Sequence, residues 1–140
     1  MEYRNESFMD VYRLIVMWAA TAINALFGSA DGIFLTLIFF MTVDYITGVC
    51  AAVVNKKLSS GIGARGVAKK FGILCIVSVA TLIENNIIDT TALRDVVILY
   101  YISNEGISIL ENITKLGVPI PKKLKEVLSN IVVDEEKNAE

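Results

Sequence analysis

The residues best suited to chemistry are polar side chains set into apolar runs at helical spacing. Asp44 is the single charge within residues 33–54, and Thr47, Gly48 and Ala51 follow on its face. Tyr101, Glu105, Ser108 and Asn112 repeat the pattern further on, and Asp10, Arg13, Thr21 and Asn24 form an earlier stripe beside Ala19, Ala20, Ala22 and Ala25. Their possible chemistry is narrow. Histidine is absent, which removes imidazole acid–base catalysis, proton shuttling and the commonest zinc ligand. Cys50 and Cys75 lie in apolar runs without a CxxC pairing and read as small packing residues that do not fix a redox compartment. Gly61, Gly63 and Gly66 match GxGxxG by letter, but a dinucleotide site needs a preceding strand and a βαβ unit, and no α/β pattern surrounds them. They read as a flexible basic loop. No catalytic, cofactor-binding or metal-ligating residue is assigned, and nothing points to nucleic acid.

What remains is electrostatics in an apolar medium. A charge at the centre of a membrane helix costs about 2.5–3.5 kcal/mol on insertion scales, so such residues face a bundle interior or water. Gly48 and Ala52 add a small-xxx-small pair through which another backbone can approach.

The elements that must hold these residues are membrane helices. Apolar residues make up 54% of the 140-residue chain, and the mean hydropathy is +0.58. A bilayer core about 30 Å thick needs roughly 20 apolar residues in a helix. Residues 33–54 meet this cleanly. The uncharged run at 71–83 is short, but Lys69 and Lys70 can snorkel at one end and residues 85–88 extend the other, giving a candidate span at 67–88. Residues 92–112 have the length but carry Arg94, Asp95 and Glu105. Residues 14–27 are the weakest candidate: extended back to residue 8 they span, and otherwise they lie in the interface as an amphipathic helix. The expectation is an all-α integral membrane protein. It has three or four transmembrane helices within residues 1–112 (8–27, 33–54, 67–88 and 92–112) and a cytoplasmic amphipathic helix with an acidic tail in 113–140.

Loop charge sets the orientation. Lys56, Lys57, Arg65, Lys69 and Lys70 occupy one acid-free segment, and Lys115, Lys122, Lys123 and Lys125 another, while residues 84–91 carry only Glu84 and Asp89. The positive-inside rule places both basic segments and the C-terminus in the cytoplasm. Pro119 and Pro121 end the last membrane segment. Leu124, Val127, Leu128, Ile131 and Val132 then recur at helical spacing with the lysines off that face, as in a basic helix on the inner leaflet or one packed on a neighbouring subunit. The 134–140 tail reads as disordered.

Two ordered blocks resemble a known family. Asp44-x-x-Thr47-Gly48, Lys56-Lys57-Leu58-Ser59-Ser60 and Gly66-x-x-Lys69-Lys70 form the first. Asn104-Glu105-x-x-Ser108-Ile109-x-Glu111-Asn112 followed by Gly117-x-Pro119-x-Pro121 forms the second. Together, over residues 44–125, they resemble the toxin-secretion/phage-lysis holin family. The first 35 residues carry no such signature. The resemblance implies a small, multi-pass protein of the bacterial inner membrane that homo-oligomerises into lesions. These would release an endolysin, or in some relatives a toxin, without necessarily binding it. On that reading Asp44, Thr47, Gly48, Ala51, Tyr101, Glu105, Ser108 and Asn112 line the lesion or pack helices, Arg94 and Asp95 could sense depolarisation, and Met9 could be a second start. From the residues alone other readings stand: a monomeric bundle whose polar groups satisfy one another, a small ion or proton channel through Asp44 and Glu105, or a non-pore membrane adaptor.

Overall fold

Residues 2–88 and 92–138 of the computed structural model are described below; they form five α-helices and contain no strand. The helices are α1 (Glu2–Phe27), α2 (Gly32–Val54), α3 (Ser60–Asn86), α4 (Leu93–Lys115) and α5 (Lys122–Asn138). Their boundaries follow from local signals. Gly28 takes φ +73° and ends α1. Asp31 caps α2 by accepting the Phe34 N–H at 3.0 Å. Gly117, at φ +87°, closes α4 in a Schellman turn: its N–H reaches the Thr114 carbonyl at 3.0 Å, and the Val118 N–H reaches that of Ile113 at 3.3 Å. The turn after α2 uses the same pattern, with Lys56 rather than glycine at φ 54°.

Two boundaries differ from expectation. Ser59 caps α3 through the Ile62 N–H, so the helix begins well before residue 67. Arg65, Lys69 and Lys70 therefore stand on α3 rather than in a loop, and only Lys56 and Lys57 occupy the α2–α3 turn. The α5 backbone stays helical through Asn138, covering most of the tail expected to be disordered. Asp89, part of the acidic turn, lies outside the described residues, as do the side chains of Ile131 and Val132.

Three helices are long and apolar enough to cross a membrane: Met9–Phe27, Gly32–Val54 and Ser60–Asn86. The weakest sequence candidate, 14–27, is thus among them, whereas α4 is not, because of its charges. Yet α4 is the centre of the bundle. It packs along α2, α3 and α5, burying Arg94, Ile98, Ile102, Ser103, Glu105 and Gly106 as one stripe. Phe34, Leu37 and Met41 of α2 and Ile73 and Val77 of α3 close on Ile98 and Ile102. Leu35, Phe39, Ile46, Phe71, Ile76 and Val79 point outward, and Cys50 and Cys75 are exposed rather than packed inside. Such an apolar exterior suits lipid as solvent. Between helices in lipid there is no hydrophobic drive, so packing and polar pairing must hold α2, α3 and α4 together. Every described side chain of α1 from Met9 to Leu26 is exposed, including Trp18 at 75%; α1 packs chiefly on α3, and its last residue, Phe27, stacks on Phe34 of α2.

The expected amphipathic helix, α5, folds back along α4. Leu128 seats against Gly106, where an added β-carbon would lie 3.0 Å from Leu128 Cδ1 and 3.1 Å from Phe40 Cε1. The Ser103 hydroxyl donates to the Leu128 carbonyl. Leu124 and Val127 remain exposed, as do Lys122, Lys123 and Lys125.

Candidate functional site

Asp44 lies ten residues before the end of α2, Lys70 ten after the start of α3, and Glu105 ten before the end of α4. At 1.5 Å rise per residue all three sit about 15 Å from the same end of the bundle. The antiparallel course of α3 therefore brings Lys70 level with both acids. Its Nζ donates to Asp44 Oδ2 at 2.7 Å and to Glu105 Oε2. Glu105 is fully buried. Its other oxygen, Oε1, faces Lys69 Nζ at 3.1 Å; this is an ion-pair contact whose angles do not make a hydrogen bond, so Oε1 accepts none. Asn112 completes the cluster, donating from Nδ2 to Asp44 Oδ1 at 3.1 Å and reaching Thr47 Oγ1 at 3.4 Å. Gly48 leaves room for it: a β-carbon there would meet Asn112 Nδ2 at 3.4 Å.

Two carboxylates and two ammonium groups balance to zero. In a low-dielectric interior an unpaired member would be costly, whereas a paired and hydrogen-bonded set is tolerated. Chemically the cluster can hold three helices in register and conceal charge. It presents no nucleophile with an adjacent base.

A second cluster closes the opposite end. Arg94, at the start of α4, donates from Nε to the Phe27 carbonyl at 2.6 Å and from Nη2 to the Ser29 carbonyl at 2.8 Å. Its Nη1 reaches Asp31 Oδ2 at 2.8 Å and Asp95 Oδ1 at 3.0 Å, and its guanidinium stands over the Phe34 ring at 5.8 Å. The Arg94 backbone N–H donates to Glu84 Oε2 at 2.8 Å. One residue thus ties the α1–α2 turn and the ends of α3 and α4. The hydrogen bond from Arg94 holds the Asp31 carboxyl at about 2, against an ordinary 3.8; the Phe34 N–H and Ser29 hydroxyl act the same way, and burial opposes them.

The structure thus brings together Asp44, Thr47, Gly48, Glu105 and Asn112 from the sequence-derived set. Ser108 borders the adjoining cavity, and Ala51 is buried one turn beyond Thr47 on α2. Tyr101, one turn before Glu105, makes no hydrogen bond to the cluster but shares a neighbouring cavity with Lys69 and stands edge-on to Tyr100 at 5.2 Å between centroids. The α1 stripe stays apart: Asp10 and Arg13 are exposed and 3.9 Å apart, and Thr21 donates to its own helix at Met17. Sequence reasoning missed Lys69 and Lys70 as partners of the buried acids, and Arg94 as a clamp. Charge balance held the signal, because Asp44 and Glu105 both need cations, and the lysine pair directly precedes the uncharged run at 71–83, the longest between them.

The sequence profile of the bacteriophage holin family matches residues 21–132, from the second half of α1 into α5. The chain belongs to this family. It is 39% identical over 127 residues to an uncharacterised 14.9 kDa protein from the nagH 3′ region of Clostridium perfringens, covering 90% of this chain and 96% of that one. It is 35% identical to an uncharacterised Listeria innocua protein, covering 84% of each. A Bacillus phage phi105 protein named "Probable holin" is 34% identical over 115 residues, covering 82% of this chain and 84% of the other. No solved structure matches the chain. Family membership and three membrane-length helices make this a membrane protein with a holin role. Both clusters, and the α5 residues that dock on α4, fall within the matched region.

Proposed function

We propose that the chain oligomerises in the bacterial inner membrane, with its C-terminus in the cytoplasm, and forms lesions that release an endolysin or a toxin. The observation carrying this reading is the concealment of Asp44, Lys70, Glu105 and Asn112 inside a bundle whose outside is apolar. Such an arrangement is a harmless resting form: the charged groups inside the α2–α3–α4 bundle are paired with one another, and the exposed faces of α2 and α3 are mainly apolar. When copies crowd, the same groups can exchange internal partners for water and for neighbouring subunits, giving a hole with a wet wall. Residues 1–112 then form the membrane part, and α5 with its lysines lies on the cytoplasmic side.

The test is induction in a bacterium that holds a cytoplasmic endolysin. Abrupt lysis at a set time is expected, and unaffected growth would overturn the proposal. Purified protein in vesicles separates the alternatives: release of both ions and a folded marker protein supports lesions, release of ions alone supports a selective channel, and retention of both supports an adaptor.

A further inference from the structure

A groove of about 350 Å³ opens beside the buried ion pairs, between α2, α3 and α4. Tyr45 and Val49 wall it from α2, and Ile62, Arg65, Gly66 and Lys69 from α3. Arg65 and Lys69 stand at positions i and i+4 on α3, where like charges repel and weaken a helix. Among the described residues no acid lies within ion-pair distance of Arg65, and the Lys69 side chain is more than half exposed, leaving N–H groups beyond its Glu105 contact. Asp44 also borders the groove, but its carboxylate already accepts from Lys70 and Asn112. Tyr45 lays its ring across the bare backbone of Gly66, 3.2 Å from where a β-carbon would stand, and carries its hydroxyl to Gly63. No hydrogen bond among the described residues uses that hydroxyl.

Depth identifies the occupant. At 27 residues α3 is about 40 Å long, roughly 10 Å more than a bilayer core. Its uncharged stretch begins at Phe71, so the excess falls at the Ser60 end and brings Arg65 to the level of lipid headgroups. Val67 and Phe71 are exposed on the same helix, where acyl chains run. We propose that this groove binds the phosphate of an anionic phospholipid, held by Arg65, Lys69 and the Tyr45 hydroxyl, with its acyl chains running past the exposed Val67 and Phe71. The phosphate relieves the repulsion between the two cations. A dissolved phosphate offers the same anion without the apolar portion.

The test uses the full-length chain in detergent with phosphatidylglycerol or phosphatidylcholine, and bound lipid is counted by native mass spectrometry. Preferential retention of phosphatidylglycerol is expected, falling about tenfold or more in the double variant Arg65→Gln with Lys69→Gln. The charge-preserving pair Arg65→Lys with Lys69→Arg, and the α5 pair Lys122→Gln with Lys123→Gln, are expected to retain the lipid. Equal retention of the two lipids would overturn the proposal, as would undiminished retention by the Gln variant. Loss of retention in the charge-preserving pair would also overturn it, by tracing the effect to folding rather than charge. Displacement of the lipid by millimolar inorganic phosphate would assign the site to the free anion instead.

Discussion

Gly28 and Arg94 occupy mutually exclusive space: a β-carbon on residue 28 would fall 2.8 Å from Arg94 Nε and 3.1 Å from its Cδ. The glycine also holds φ +73°, where an alanine is strained. Arg94 cannot easily move aside, because its guanidinium is committed to Phe27, Ser29, Asp31 and Asp95. Gly28→Ala is expected to destabilise the purified protein by about 2–3 kcal/mol, combining αL strain with a weakened clamp. Unfolding in mixed micelles measures it, and wild-type stability would contradict the clash.

Removing Lys70 should cost more than removing its partners with it. Lys70→Met leaves the Asp44 carboxylate with no cation and Glu105 with only the half-exposed Lys69, at about 3–5 kcal/mol. Adding Asp44→Asn and Glu105→Gln removes the uncompensated charge and should restore much of that loss. A mutant cycle on unfolding midpoints checks this, with additive effects counting against coupling.

The Asp31 carboxyl gives a signed pH dependence. Because its folded value is lowered to about 2 from 3.8, its contribution is complete above 3.8 and is lost as pH falls through about 2. Asp31→Asn keeps a capping side chain but not the charge. The variant should be less stable than wild type near neutral pH and converge with it between pH 4 and 2. A gap that does not narrow would exclude this carboxyl as the source.

Gly106 is the seat of α5. Gly106→Ala gains helix propensity of about 1 kcal/mol against a contact that Leu128 can yield, so it should be nearly neutral. Gly106→Leu cannot share the space with Leu128 and Phe40 and should release α5. Tryptic cleavage at Lys122, Lys123 and Lys125 should then accelerate about tenfold, the equivalent of about 1.4 kcal/mol of docking.

Helix type and the apolar periods were legible in the sequence because composition and spacing are local. So were Asp44 and Glu105 as residues needing an interior. Their partners were not, since pairing Lys70 with them depends on where α3 starts, and Ser59 sets that start with one hydroxyl. Reading Arg65, Lys69 and Lys70 as loop residues put them at the wrong depth. The docking of α5 was equally hidden: a basic amphipathic pattern suits a lipid surface or a protein surface, and the deciding feature, the bare backbone at Gly106, belongs to another helix.

The burial of Arg94 and Glu105 on α4 bears on how the chain is made. This helix fails the hydropathy test that α1, α2 and α3 pass. Beyond the neighbouring Asp95, the counterparts of Arg94 and Glu105 are Asp31, Lys69 and Lys70, all synthesised earlier. On the reading that residues 1–112 form the membrane part, entry of α4 into the bilayer depends on α2 and α3 being in place to receive it. Biogenesis then acquires an order, and α4 appended to a host protein without α2 and α3 is expected to stay outside the hydrocarbon.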